Sequence, residues 1–119
     1  LVSLKNAGYF FIATEVGAEV CGSAMQEIEN EITILKQEPV TEGELGLVRN
    51  YMLGSMLGSL ENALSHADKF KSIYFSGLDY AYYQRYIQTV RNITAEEILK
   101  LANQYMNFDD FEKVIIGKK

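Results

Sequence analysis

The segment Val90-Arg91-Asn92-Ile93-Thr94-Ala95-Glu96-Glu97-Ile98 holds the sharpest helix boundary in the chain. Thr94 and Glu97 have capping-box spacing: the Thr94 hydroxyl accepts from the third helical N–H, and the Glu97 carboxylate reaches back to the Thr94 N–H. Glu96 and Glu97 also stand in the first turn, where the helix dipole favours negative charge. The pattern predicts a helix over 94–106, with Ile98, Leu101, Ala102 and Tyr105 as its inward stripe. Upstream, Asp79 caps a Tyr-rich helix over 79–89. Downstream, Asn107 to Asp110 is a turn, and Phe111 to Gly117 reads as a strand.

The same signals organise the rest. Asn6-Ala7-Gly8 is a turn, and the aromatic and β-branched run that follows predicts a strand over 8–16, apolar on both faces and therefore covered on both. Cys21, Ala24, Met25, Ile28, Ile32 and Leu35 recur at the helical period and predict a helix over 18–37, with Pro39 past its end. Thr41 and Glu44 form another capping-box pair and open a helix over 41–58, carrying Leu45, Val48, Met52 and Met56 inward. Gly54 and Gly58 weaken that helix, so a break is expected near Gly58-Ser59, with Ser59 capping a helix over 60–76 that ends at Ser76-Gly77. The expected fold class is α+β, with helices packed on one face of a small antiparallel sheet, in one domain or domain fragment over 1–119. Two strands are too few for a stable sheet, so either they pair beneath the helices or other strands are missing.

Composition narrows the function. The chain has 119 residues, 48% of them hydrophobic, with one Pro and a net charge of −5. That describes a folded globule rather than a disordered segment. A nucleic-acid binder needs clustered Lys and Arg, whereas Arg49, Arg85 and Arg91 are scattered. No apolar run approaches the length of a membrane span. A single cysteine, Cys21, rules out an intrachain disulfide. The chain opens on Leu1 in strand-like sequence, which we read as an internal start.

Catalytic chemistry finds little to build on. A catalytic zinc site needs three protein ligands, and His66 is the sole histidine, with no His-x-x-Glu-His pair. Cys21 lies on an apolar stripe and reads as a small core residue, with nothing to place His66 beside it. Glu27, Glu29 and Glu31 belong to a solvated helix face. Gly54-x-x-x-Gly58 lacks the strand and lysine of a phosphate loop and reads as close helix packing or a helix break. The group with most to offer is Tyr82, Tyr83, Arg85 and Tyr86, since Tyr and Arg are enriched at binding hot spots. Tyr82 and Tyr86 share a helix face with Tyr83 adjacent; they serve either a partner or the core.

Over nearly its whole length the chain resembles the C-terminal portion of a domain of the pitrilysin/insulinase family of zinc metallopeptidases. The features that carry the resemblance are the 8–16 segment, Glu38-Pro39-Val40-Thr41 with its capped helix, Ser59-Leu60-Glu61, Gly77-Leu78, Val90 to Ile98, Ala102 to Tyr105 and Val114 to Gly117. The resemblance implies an incomplete α/β peptidase domain, one of two or more homologous domains around a closed chamber. In such an enzyme one domain carries the His-x-x-Glu-His helix and a downstream Glu, and a zinc-free domain can carry an Arg-x-x-x-Gly-x-x-Tyr that contacts substrate. Neither motif is present here, since no Arg precedes Arg49, so no functional residue is carried over.

The resulting expectation is an inactive domain of a zinc protease. This chain has no cofactor, and the zinc sits in the catalytic domain of the parent or partner. The partners would be that catalytic domain or subunit, a peptide substrate and, through a strand edge, a second copy. The resemblance places the parent in the bacterial periplasm or cytoplasm. The other reading is a protein-interaction or scaffolding module built on the Tyr-rich helix.

Overall fold

A computed structural model describes residues 1–3 and 6–117. The described residues form five α-helices: α1 (Cys21–Gln37), α2 (Glu42–Gly58), α3 (Ala63–Phe75), α4 (Ala81–Asn92) and α5 (Ala95–Tyr105). The only strand structure described is a ladder of two residues a side, β1 (Val2–Ser3) antiparallel to β2 (Gly8–Tyr9), with Val2 opposite Tyr9. The expected α+β architecture, helices on one face of a sheet, is therefore corrected: the fold is helical. Beyond Tyr9 the 8–16 segment is irregular and exposed, and 111–117 forms no strand, with Ile116 94% exposed. The reason is that an alternating apolar run makes a strand only when a neighbour completes its ladder and a second layer covers it. Among the described residues only Gly8–Tyr9 meets a partner strand, and 111–117 meets none.

The chain divides into two compact units, 1–12 with 43–93, and 13–42 with 94–119. In the second unit α1 packs against α5. A 3-10 turn, Ala18–Val20, leads into α1. The apolar stripe of α1 is covered along its length, most completely at Ile32. The covered face of α5 differs from the expected one: Ala95 and Ala102 are buried and Ile98, Leu99 and Met106 half-buried, while Leu101 and Tyr105 face out. Asn103 ties α5 to α1, its Nδ2 donating to the Lys36 carbonyl at 2.8 Å and to Leu99 O at 2.9 Å. The Thr94 capping box is formed, with Glu97 N–H donating to Thr94 Oγ1 at 3.2 Å and Thr94 N–H to Glu97 Oε2 at 2.9 Å.

In the first unit the core is thin: Leu45, Met56, Ile73 and Val90 are its buried apolar side chains. Val48, expected inward, is half exposed. α2 ends at Gly58, and the cap of α3 is Asn62 rather than Ser59, its Oδ1 accepting from Ser65 N–H at 2.9 Å. Ser59 instead donates to the Met56 carbonyl at 2.7 Å and closes off the helix before. α3 ends in a Schellman arrangement: Leu78 N–H donates to Ile73 O at 2.9 Å and Gly77 N–H to Tyr74 O at 3.0 Å. Gly77 sits there at φ 71°, a conformation that costs a side chain strain. Asp79 Oδ1 accepts from Ala81 N–H at 2.9 Å and starts α4, which runs on to Asn92, past the expected end. An Arg49 Nη2 hydrogen bond to the Ile93 carbonyl joins α2 to the end of α4.

Candidate functional site

Tyrosines at positions 80, 82, 83 and 86 enter α4 within two turns, and their i, i+3 and i, i+4 spacing sends several to one side. That side faces α2 and α3 across a groove of about 320 Å³. Tyr82, Tyr83 and Tyr86 form one wall. The facing ridge of α2, Met52, Met56 and Tyr51 with Ser55, and Ser59 just past its end, form the other, and Lys69 of α3 stands at the groove as well. Of the four residues singled out from sequence, the structure brings the three tyrosines together; Arg85 is exposed and does not line the groove.

Tyr83 is the fixed point. Its hydroxyl donates to the Lys69 carbonyl at 3.0 Å. Its ring meets Tyr82 edge-on at 5.3 Å and Tyr80 at 6.3 Å, and the Lys69 ammonium lies 5.6 Å from its centroid. Such aromatic and cation–π contacts hold a ring in one orientation. Partial burial pushes the Tyr83 hydroxyl above its ordinary pKa of 10.0, with Tyr82 and Tyr80 adding to the rise. The stack continues from Tyr80 to Phe70 at 6.1 Å and from Phe70 to Tyr74 at 5.6 Å.

Tyr51, Met52, Ser55 and Lys69 were not legible as site residues. Each looks like an ordinary position on an amphipathic helix. A weak signal exists in α2, where Tyr51–Ser55 and Met52–Met56 run at i, i+4 as adjacent ridges.

No metal chemistry is assembled: among the described residues no three His, Cys, Asp or Glu side chains cluster as metal ligands. Cys21 is a free, half-buried thiol. Nothing lies within 4 Å of a Cβ built at Gly54, so the close helix packing its spacing suggested is not made there. Among the described residues no helix is long and apolar enough to cross a membrane. In comparisons with known proteins the chain matches no family model, no curated protein and no solved structure.

Proposed function

We propose that this chain is a non-catalytic part of a zinc peptidase, forming a wall of the peptide chamber and docking on a zinc-bearing domain that hydrolyses the peptide. The observation that carries the reading is the amount of apolar surface left open. The chain exposes 9809 Å². A compact monomer of this size exposes about 6500 Å², and two separate compact halves about 7900 Å² together. Large apolar side chains stand open on this surface: Leu64 is 80% exposed, Tyr51 78% and Leu47 72%. Surface of this kind marks an interaction site, as docking on another domain requires. The order of sequence features from the 8–16 segment to Val114–Gly117 supports assigning that domain to the pitrilysin/insulinase family. Zinc, held elsewhere, supplies the activated water.

The reading frame upstream of Leu1 tests this. An Arg-x-x-x-Gly-x-x-Tyr just before it, with a His-x-x-Glu-His domain further back or in an adjacent gene, is the expected result. A start codon near Leu1 with neither motif overturns it, and so does stoichiometric zinc in the purified chain.

The convergence of Tyr82, Tyr83 and Tyr86 on one groove favours a second reading, a protein-interaction module with no peptidase role. Replacing Tyr82 and Tyr86 with Ala then abolishes partner binding while the far-UV circular dichroism is unchanged. Loss of the folded spectrum would show instead that these rings are structural.

A further inference from the structure

The groove between α2, α3 and α4 has a charge pattern at odds with the chain around it. The chain carries −5, yet among the side chains lining the groove only Lys69 is charged. Among the described residues no carboxylate lies within ion-pair distance of its ammonium. The neighbouring Asp68 lines an adjoining hollow of about 360 Å³, which Lys69 and Tyr83 also line, and pairs with Lys71 at 3.4 Å. Lys69 is half-buried, its ammonium held over the Tyr83 ring. Met52, Met56 and the tyrosine rings supply apolar surface, and Ser55 brings a hydroxyl to the same groove. Small-ligand sites have this make-up: an apolar body of some 300 Å³ or more with a few polar groups that set orientation.

We propose that this groove binds the C-terminal residue of a peptide, its large apolar side chain against Met52, Met56 and the Tyr82 and Tyr86 rings, and its free carboxylate at Lys69. The choice of a peptide rests on the function proposed above; the apolar body and the carboxylate come from the groove itself. A lysine ammonium and a carboxylate form an ion pair with a charge-assisted hydrogen bond, whereas a neutral amide carbonyl accepts from the ammonium without the opposite charge and so more weakly. Methionine adapts to side chains of differing shape, so the site accepts Phe, Leu or Met at the peptide end. A second, buried cation would be needed to hold an internal acidic residue as well, and none lines the groove.

Titration calorimetry of the full chain with acetyl-Ala-Ala-Phe, as the free acid and as its C-terminal amide, tests the assignment. The acid binds, and the amide binds at least roughly tenfold more weakly. Added salt weakens the acid and leaves the amide unchanged. Lys69→Gln brings acid and amide together; the Tyr83 hydrogen bond goes to the Lys69 backbone and survives the change. Circular dichroism of the variant checks that the helices persist, and Lys69→Arg, which keeps the charge, restores the preference for the acid. Equal binding of acid and amide overturns the assignment, as does binding of neither or an unaltered preference in a folded Lys69→Gln. These outcomes are separate from the upstream reading frame: an acid-selective groove without upstream motifs keeps the site and removes the peptidase.

Discussion

At the scale of single residues, short-range hydrogen bonds have the clearest consequences. Thr94 accepts from Glu97 N–H and receives the Glu97 carboxylate on its own N–H. Thr94→Ala removes the hydroxyl acceptor and should cost about 1 kcal/mol in urea denaturation. Thr94→Ser should retain most of that stability. Tyr83 offers a test with pH. Its hydroxyl titrates higher in the folded chain than in the unfolded one, because burial disfavours the phenolate and Tyr82 and Tyr80 add to the effect. The unfolded chain therefore loses this proton first as pH rises. The stabilising contribution is complete below the ordinary value of 10.0 and is lost as pH rises from there through the folded pKa. Tyr83→Phe should flatten the alkaline fall in stability seen by circular dichroism and, through loss of the bond to Lys69 O, lower stability by about 1 kcal/mol at neutral pH. An unchanged alkaline slope would show that Tyr83 does not carry the fall.

At the scale of elements, the α1–α5 pair and the α3 terminus respond differently. Ile32 is the most buried side chain of α1. Ile32→Ala should cost about 2 kcal/mol or more, measured as a shift of the urea midpoint. Asn103→Ala removes the link to Lys36 O, but the side chain is exposed, so its effect should stay near about 0.5 kcal/mol. A larger loss for Asn103 than for Ile32 would mean that the hydrogen bond, rather than apolar contact, holds the pair. The end of α3 depends on backbone conformation instead. Gly77→Ala forces a side chain into positive φ and should destabilise by about 1 kcal/mol, with Gly77→Asn milder because Asn tolerates that region better. Both units bury few side chains, Leu45, Met56, Ile73 and Val90 in the first and Ile32, Ala95 and Ala102 in the second, so amide hydrogens of the two should exchange at comparable rates.

At the scale of the whole molecule, surface exposure is the dominant fact. Isolated chains should bind a hydrophobic dye such as ANS, and a docked partner should suppress that binding. Failure of the dye to bind would mean that the open side chains, Leu47, Tyr51 and Leu64 among them, are covered in solution by contacts within the chain. The helices were legible because their signals lie within four residues: the Thr94–Glu97 pair, the Asp79 start, the Ser76-Gly77 end and the stripe from Cys21 to Leu35. These interactions form inside one segment, whatever lies around it. The 8–16 and 111–117 segments have strand-like sequence without forming a sheet because a strand is completed by a partner distant in sequence, and neither segment carries a sign of whether one exists. In the same way Val48, Leu101 and Tyr105 have the right period for burial, yet which apolar residues are covered depends on the neighbour that arrives. Sequence alone thus determined that five helical segments follow one another, with the Thr94 cap among their boundaries, and that no His-x-x-Glu-His motif lies in the chain. Tertiary structure decided that the fold is helical and that Lys69 of α3 meets Tyr83 of α4, because packing joins residues that no local pattern connects.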